Sequence, residues 1–471
     1  MELHDHVATL SCNPLFLSLI LLFSLVIWLK LVKKKNLNLP PSPPKLPIIG
    51  NIHQLGKLTH RSLRDLSRNY GSLLLLHLGH NPTILVSSAD MIREIVKNHD
   101  VVCSDRPKTT AMDMMFYGCK GLGFGPYGEY WRRVKKMSVV ELFSHQRVQS
   151  FQFVRDEEVE HLVNKINCAC LEGESIDLSE MLMSVSSNIV SRCVLSHKSD
   201  GCSNFGQLGK RMLILLTSFC IGDMFPYLRW LDVVTGFIPS LKALSKEFDA
   251  FLDQVIEEHR PVENHEENNS HKKDFVSIIM QLQKDGMLEM DLTRDNIKAI
   301  LLDMFVGGTE TSTTTAEWMM AELLKHPHAM KKSATRGKRC GGEQVQANVK
   351  LGGYDIPSDT TILINIWPIQ RDPKWWENPE EFIPERFEKS SIDFKGEHFH
   401  FIPFGFGRRR CPGIPFGVAS VEYLMANLLY WFDWKLAAGE IAENLDMTEV
   451  YGFSVTKKIP LHVQPIPRLS V

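Results

Sequence analysis

Hydrophobic residues recur every three to four positions through long stretches of this chain, a spacing typical of amphipathic helices. The segments FVSIIMQLQKDG (275–286) and GVASVEYLMANLLYWF (417–432) show this spacing clearly. Strand-like runs are few and short, such as PTILVSS (82–88) and TTILINIW (360–367). No internal repeat of about 20 to 50 residues is visible. The pattern predicts a mainly helical fold with a minor β region.

The longest predicted helix begins after Thr293, which can cap it, and ends at Pro327. At 1.5 Å per residue its roughly 30 residues extend about 45 Å, enough to cross a globular domain. Its middle, GGTETSTTT (307–315), consists of weak helix formers. Glycines there permit close approach of a bulky ligand, and Glu310 and Thr311 supply an acid and a hydroxyl for proton transfer. A solvent-facing Thr-rich turn explains the same residues equally well.

The N-terminal segment predicts a membrane anchor. From Val7 to Leu29 no residue is charged, and a bilayer-spanning helix needs about 20 apolar residues. Acidic residues precede this stretch and four lysines follow it, so the positive-inside rule orients everything after Lys30 toward the cytosol. A cleaved signal peptide would carry its positive charges before the apolar stretch and a small-residue cleavage site after it, and neither is present.

Prolines follow the anchor in LPPSPPKLPIIGN (39–51), and they disfavour helix. The segment is either a stiff extended spacer or an ordinary linker. The predicted organisation is therefore an anchor at 1–35, a proline-rich hinge at 36–50 and one globular domain at 51–471.

Composition excludes several classes of protein. The 471 residues carry 53 basic and 55 acidic side chains, so the net charge gives no reason to expect a nucleic-acid partner. The ten cysteines are scattered without a C-x-x-C pair, which argues against a zinc site and a disulfide framework. Their spacing suits reduced thiols in a protein that faces the cytosol.

Two further motifs carry little weight. GFGPYG (123–128) matches the dinucleotide pattern G-x-G-x-x-G, but it lacks a preceding strand and an acidic residue about 20 positions later. These glycines instead predict an irregular approach to a helix at GEYWRRVKK (128–136). The histidines of the charged segment 257–274 suggest a metal site, but a solvated loop is the favoured interpretation.

FGFGRRRCPG (404–413) surrounds one cysteine with glycines and arginines. A cysteine thiolate on haem iron favours O–O cleavage. Glycines at 405, 407 and 413 let the backbone approach the sulfur and donate N–H groups to it, and Phe404 can cover it from water. Arg409 can pair with a haem propionate. A buried structural cysteine would explain Cys411 alone but not the pattern around it.

Phe404, Gly407, Arg409, Cys411 and Gly413 fit F-x-x-G-x-R-x-C-x-G, and the chain thereby resembles the cytochrome P-450 haem-thiolate monooxygenases. YWRRVKK, GGTETS, NPEEFIPERF and the cysteine loop also occur in the order of that family. The similarity extends over almost the whole chain, and the sequence of each motif looks like that of the plant endoplasmic-reticulum members. The resemblance implies the cytochrome P-450 fold behind an N-terminal transmembrane helix.

The resemblance also implies roles for individual residues. Cys411 matches the axial ligand of haem b, the iron protoporphyrin. Glu310 and Thr311 match the acid–alcohol pair that delivers protons during oxygen activation. Trp131 and Arg409 match contacts to the haem propionates, and Lys135 stands where the family often has Arg, so its contact lacks the bidentate fork. The implied cofactor-binding set is Trp131, Lys135, Phe404, Gly405, Gly407, Arg409, Cys411 and Gly413.

The implied reaction inserts one oxygen atom from O2 into a small hydrophobic plant metabolite. Electrons come from NADPH through a cytochrome reductase. A basic surface can dock the acidic domain of this reductase, and it consists of Arg408, Arg410, Lys135 and Lys136. Solvated surface charge explains these residues equally well. The expected location is the endoplasmic-reticulum membrane, with a single span and a cytosolic catalytic domain. Four segments match walls of the substrate pocket. They are 108–120, 212–220, 302–306 and the residues near Tyr451.

One departure from the family pattern is large. A helix carrying Glu-x-x-Arg should lie between HPHAMKK (326–332) and GGYDIP (352–357), where it would interlock with Arg386 of PERF, but the intervening residues contain no such motif. Compared with the family pattern, a segment is missing near 333–350, together with a strand of the substrate pocket. An unpartnered buried Arg386 would cost about 3–5 kcal/mol. The alternative function is a catalytically inactive, haem-poor, membrane-tethered relative, and a faulty gene model, a splice variant or a decaying gene could produce it.

Overall fold

The computed structural model describes residues 37–196, 204–259, 273–288, 290–330, 341–344, 347–388, 390–437 and 440–468. Before residue 37 it describes only Ser18, Leu21, Leu22, Ser24 and Leu25, so the predicted anchor lies almost entirely outside the described residues. Among the residues that are described, no helix has both the length and the apolar character needed to cross a membrane. The histidine-containing loop is described only at its two ends, 257–259 and 273–274.

Helices form most of the ordered structure, as the sequence predicts. The α-helices are α1 Thr59–Tyr70, α2 Ala89–Glu94, α3 Thr110–Met115, α4 Glu129–Met137, α5 His145–Ser150, α6 Gln152–Glu172, α7 Leu178–Leu195, α8 Asn204–Thr217, α9 Ile221–Met224, α10 Leu231–Val234, α11 Phe237–Glu258, α12 Phe275–Lys284, α13 Arg294–Lys325, α14 Pro327–Met330, α15 Ile366–Ile369 and α16 Ile414–Trp431. Short 3₁₀ helices lie at Ile52–Gln54, Pro226–Leu228, Pro384–Phe387, Gly407–Arg409 and Ala442–Asn444, and π-helical turns at Ile95–His99 and Ser138–Leu142.

The strands are short and form small sheets. They are β1 Leu73–Leu78, β2 Asn81–Val86, β3 Ile176–Asp177, β4 Gly341–Gln344, β5 Val349–Leu351, β6 Tyr354–Ile356, β7 Thr361–Ile364, β8 Phe432–Leu436, β9 Glu449–Val450, β10 Thr456–Lys457 and β11 His462–Pro467. The largest sheet has the order β1-β2-β7-β4, in which β2 and β7 run parallel and the other pairs antiparallel. β3, β11 and β8 form a second sheet, and β9–β10 and β5–β6 form two hairpins.

Helix α13 forms the centre of the fold. The Thr293 hydroxyl and the Asn296 side chain make a reciprocal capping box at its start, so local sequence fixes where the helix begins. Its 32 residues are buried on nearly all sides, because α7 and α16 pack against it. The helix continues unbroken through GGTETSTTT, although these residues favour helix weakly. Tertiary packing therefore outweighs local propensity here.

The hydrophobic core is divided between the helices and the main sheet. One large cluster of buried residues joins α4 to α8 with α11, α12, α13 and α16. Two smaller clusters cover the two faces of the β1-β2-β7 sheet. This arrangement confirms the prediction of a mainly helical fold with a minor β region. Phe416 near the start of α16 lines one cavity together with Gly308 and Ser312 in the middle of α13.

Candidate functional site

Cys411 lies in the loop that leads into α16. Its backbone N–H donates to the Phe404 carbonyl at 3.0 Å, which closes the loop FGFGRRRC on itself. Gly405 and Gly407 adopt left-handed backbone angles, with φ of 73° and 56°, that non-glycine residues rarely adopt. The thiol is half-exposed. The two glycines therefore fold the loop so that the Cys411 side chain remains accessible at the start of the helix.

Arg409 ties this loop to the distant segment 121–125. Its Nε donates to the Ser104 carbonyl at 2.6 Å and its Nη2 donates to the Gly125 carbonyl at 2.6 Å. Its guanidinium carbon lies 4.1 Å from the centroid of the Trp131 ring, within the range of a cation–π interaction. The structure thus brings together two residues that the resemblance assigns to the haem propionates.

Trp131 and Lys135 lie one helical turn apart on α4. The Trp131 indole is buried, and its Nε1 donates to the Leu122 carbonyl at 2.8 Å. The Lys135 Nζ donates to the carbonyls of Arg408 and Arg410 and lies 5.2 Å from the Trp131 ring. Burial, together with the nearby Arg409 and Arg410 charges, lowers the pKa of Lys135 to about 8. Lys135 is therefore protonated at pH 7 and loses its charge near pH 8.

Glu310 and Thr311 lie on a half-buried stripe of α13. This stripe also includes Gly307 and Thr315, whereas the intervening positions 312–314 are buried. The Thr311 hydroxyl donates to the Gly307 carbonyl at 2.6 Å, and the Thr315 hydroxyl donates to the Thr311 carbonyl at 2.7 Å. The Thr-rich stretch is thus part of the central helix, which argues against the solvent-facing turn.

The residues present fit a bulky acidic group beside α13 and α16. A Cβ atom added to Gly307 on α13 or to Gly417 on α16 would meet no atom within 4 Å, so there is open space beside both helices. Cys411 supplies a thiol at the start of α16, and Arg409 and Lys135 supply positive charge. The N–H groups of Arg409, Lys135 and Trp131 donate hydrogen bonds to backbone carbonyls. An acidic ligand would share these donors or replace the carbonyls as their acceptor.

Asp303 belongs to the site although no sequence motif contains it. Its side chain is half-buried against segment 121–125 and accepts hydrogen bonds from the backbone N–H groups of Leu122 and Gly123. Burial raises the pKa of Asp303 to about 7, although the two amides and the Arg409 charge act in the opposite direction. The only signal available in the sequence was a single acid inside the apolar run AILLDMFV (299–306).

Arg386 has partners that the family pattern does not predict. It is half-buried and donates to the carbonyls of Glu377, Asn378, Glu381 and Ile383. It also lies 5.8 Å from the Trp376 ring. The expected cost of a fully buried, unpartnered Arg386 therefore does not apply, because four carbonyl oxygens replace the carboxylate. The predicted gap near 333–350 falls partly on 331–340 and 345–346, outside the described residues.

Comparison with known proteins defines the class. The family model described as Cytochrome P450 matches residues 40–335 and 343–462. This match covers most of the chain, which therefore belongs to the cytochrome P450 family, and a haem cofactor follows from that membership. The chain is 45% identical over 476 positions to phenylacetaldehyde oxime monooxygenase of Prunus mume, with 92% of this chain and 90% of the relative covered.

Two other plant proteins are similar over comparable lengths. Desmethylyatein synthase of Sinopodophyllum hexandrum is 42% identical, with 98% of this chain and all of the relative covered. Cytochrome P450 71A1 of Persea americana is 45% identical, with 89% and 92% covered. The chain is accordingly an oxidoreductase of the plant cytochrome P450 type, and its relatives support monooxygenase chemistry on plant metabolites.

Proposed function

We propose that the chain is a membrane-anchored haem-thiolate monooxygenase that inserts one oxygen atom from O2 into a small hydrophobic plant metabolite. Electrons reach it from NADPH through a reductase. The observation that carries the proposal is the accessible Cys411 thiol, which lies in a glycine-folded loop held to the Arg409–Trp131 pair. A structural cysteine would not need open space beside Gly307 and Gly417.

Each residue of the site has a role in this proposal. Cys411 provides the thiolate ligand, and a haem bound through thiolate supplies oxygen-activating chemistry. Arg409, Trp131 and Lys135 bind the acidic edge of the cofactor, since two cations and an indole N–H lie within one cluster. Phe404, Gly405, Gly407 and Gly413 shape the loop around the sulfur.

Glu310 and Thr311 handle protons in the proposal. The Thr311 hydroxyl is oriented by its hydrogen bond to the Gly307 carbonyl, which leaves its oxygen able to accept a second hydrogen bond from a proton source. Glu310, the preceding half-buried residue on α13, is the nearest acid in sequence that can resupply this hydroxyl. Proton transfer by positioned groups of this kind contributes about 10²–10⁴-fold to a rate.

Apolar walls support a hydrophobic substrate. Phe305 and Val306 of α13 are buried among other apolar residues, and the Phe305 ring lies close to Gly209 of α8. The segment 108–120 contains α3, which packs against α8 and α11. The relatives named for phenylacetaldehyde oxime and for desmethylyatein support a small plant metabolite, and neither compound is proposed as the substrate of this chain.

An exposed apolar surface supports membrane contact. Ile48 is 83% exposed and Tyr227 is 86% exposed. The two lie on neighbouring turns, because the Gly79 N–H donates to the Ile49 carbonyl and the His80 N–H to the Met224 carbonyl. We define the membrane patch as Leu46, Ile48, Ile49, Tyr227, Leu228, Trp230, Val233 and Val234. The proposed location is the endoplasmic-reticulum membrane, with residues 1–35 as the anchor, 36–50 as the hinge and the catalytic domain in the cytosol.

The proposed reductase surface lies on the side of the cysteine loop. Arg408 is exposed and pairs with Asp100 at 2.9 Å, and Lys135 and Arg410 are half-buried beside it. Lys136 follows Lys135 on α4. An acidic reductase domain fits this basic surface by charge complementarity.

A second candidate is an inactive, haem-poor relative that lacks an internal segment. The family match is interrupted between residues 335 and 343. The alignment with desmethylyatein synthase extends over 498 positions, more than the 471 residues of this chain. Among the described residues, buried polar atoms of His60, Asn365 and Gln370 have no hydrogen-bond partner. His60 lies on α1, and Asn365 and Gln370 directly follow β7 and α15, which come later in the chain than the interruption.

One reconstitution experiment separates the two candidates. The full chain is expressed in microsomes with an NADPH-dependent reductase and supplied with ¹⁸O2 and a panel of small aromatic and terpenoid metabolites. The monooxygenase predicts a product that carries one ¹⁸O atom and depends on both NADPH and Cys411. Absence of labelled product with every substrate, together with absence of bound haem, favours the inactive relative. Sequencing the transcript across Lys332 to Gly352 then tests whether a segment is missing.

A further inference from the structure

The segment from Gly121 to Gly125 connects the central helix to the cysteine loop. On one side, the Asp303 carboxylate of α13 accepts hydrogen bonds from the N–H groups of Leu122 and Gly123, and both bonds end at the same oxygen, Oδ2. On the other side the Leu122 carbonyl accepts the Trp131 indole N–H at 2.8 Å and an Arg409 N–H at 3.5 Å. The Leu122 residue is therefore held through both of its backbone polar groups.

The fit between Asp303 and this segment is close. A Cβ atom added to Gly123 would lie 2.8 Å from Asp303 Oδ1, and its three nearest atoms would all belong to the Asp303 carboxyl group. Gly121 likewise leaves no room for a Cβ against the same carboxyl. Glycines at these two positions are thus required by contact with Asp303, since neither adopts a left-handed backbone angle.

We infer that Asp303 is a positioning residue, which fixes the Gly121–Gly125 segment and, through Leu122 and Gly125, holds the Arg409–Trp131 pair in place. The role of that pair in binding an acidic cofactor edge rests on the proposed function. The positioning itself depends only on contacts within the chain. Asp303 does not reach the open space beside Gly307 in any contact described, so it acts through the segment.

Variants of Asp303 can separate the effect of its hydrogen-bond acceptor from the effect of its volume. Because both N–H groups donate to one oxygen, an amide can replace the carboxylate: Asp303→Asn keeps an acceptor at the same place. Asp303→Leu has a similar volume but has no acceptor, so the N–H groups of the buried Leu122 and the exposed Gly123 lose their hydrogen-bond acceptor. Asp303→Ala removes the obstacle that excludes a side chain at Gly123.

Two measurements on the full chain in detergent micelles test the inference. Amide hydrogen exchange in peptides spanning Leu122 and Gly123 should accelerate by about tenfold or more in Asp303→Leu, the effect of one lost buried hydrogen bond, and change by less than about threefold in Asp303→Asn. Phenylglyoxal modification of Arg409, resolved by mass spectrometry, should accelerate in the same variant and remain slow in the Asn variant.

A double-mutant cycle tests the contact between Asp303 and Gly123, and its result can be interpreted even if one variant is partly unfolded. Gly123→Ala should lower the melting temperature of the wild-type chain but have little effect in the Asp303→Ala background, because the clash is removed. Gly128→Ala is the matched control, since a Cβ at Gly128 meets no atom within 4 Å. Equal effects of Gly123→Ala in both backgrounds, or equal Arg409 reactivity in Asp303→Asn and Asp303→Leu, would overturn the inference.

These outcomes are independent of the proposed function. If the Asn and Leu variants differ as expected but none of the chains binds added haem, Asp303 positions Arg409 and the proposed function fails. If haem binds and Arg409 reactivity is unaffected by Asp303→Leu, the proposed function stands and the positioning role is wrong.

Discussion

The guanidinium of Arg409 lies 4.1 Å from the ring of Trp131, and both side chains donate hydrogen bonds to the same Leu122 carbonyl. Arg409 belongs to the cysteine loop and Trp131 to α4, so this pair joins two elements that are far apart in the chain. The planar guanidinium can stack on the indole and donate in several directions at once, which a lysine cannot do.

Replacing Arg409 with Lys should therefore damage the site even though the charge is kept. We expect Arg409→Lys to lower the free energy of unfolding by about 2 kcal/mol, because it loses bonds to the Ser104 and Gly125 carbonyls and the stacking on Trp131. Chemical denaturation of both chains measures the difference. Arg408→Lys is the matched control, since Arg408 is exposed, and equal losses in the two variants would contradict this account.

The Thr311 hydroxyl should determine how efficiently electrons become product. Thr311→Val keeps the shape of the side chain and removes the hydroxyl that donates to Gly307, so product formed per NADPH should fall by about tenfold or more. Thr311→Ser should retain most of the coupling. Thr313→Val is the control, because Thr313 makes the same type of backbone bond but faces Met183. Unchanged coupling in Thr311→Val would remove Thr311 from proton transfer.

Asp303 should make stability depend on pH. Its pKa is raised to about 7 in the folded chain, so between about pH 4 and pH 7 the unfolded chain gives up a proton that the folded chain keeps. The stability of the wild type relative to Asp303→Asn should thus fall as pH rises through this window, by at most about 1.4 kcal/mol per pH unit, and level off above it. Denaturation at a series of pH values measures this difference.

The charged and titratable groups that act on Asp303 or respond to it do not obscure this result. Arg409 stays charged, and the pKa values of Cys119 and Tyr130 are raised by burial to about 11 and about 12. None of them changes protonation between pH 4 and pH 7. A difference between wild type and Asp303→Asn that does not vary with pH would show that Asp303 titrates normally.

The proposed membrane location predicts that the membrane patch contacts lipid. In phosphatidylcholine vesicles, a photoactivated carbene attached to lipid chains should label peptides containing Ile48 and Tyr227 to Val234. Leu171, which is 89% exposed on α6 outside the patch, provides the internal control and should remain unlabelled. Equal labelling of the two regions, or labelling of the Leu171 peptide alone, would exclude this orientation.

The parts of the fold that local sequence determines could be predicted. The ends of α13 follow from the Thr293 cap and from Pro327, and the structure confirms both within two residues. The helix after GFGPYG begins at Glu129, as predicted. The strands at 82–88 and 360–367 exist but are shorter than the apolar runs, because pairing with β1 and β4 limits them. These features depend on neighbours in sequence.

Tertiary contacts could not be predicted in this way. The hydrogen bond from Arg409 to the Gly125 carbonyl joins residues 284 positions apart, and no local pattern specifies it. In the sequence, Asp303 is one polar residue in an apolar helix. Only the fold shows which N–H groups donate hydrogen bonds to it. Arg386 was expected to need a carboxylate, but carbonyl oxygens close to it in sequence satisfy it instead. Its partners depend on the path of the loop.

The central claim is that the Cys411 sulfur holds haem iron in this chain. The reduced carbon-monoxide difference spectrum of the purified full-length protein tests it most directly, with Cys411→Ala and the buried-cysteine control Cys193→Ala measured alongside. We predict a Soret band at the position of thiolate-ligated haem in the wild type and in Cys193→Ala, and no such band in Cys411→Ala. A band at the position of nitrogen-ligated haem, or a thiolate band that survives in Cys411→Ala, would contradict the account.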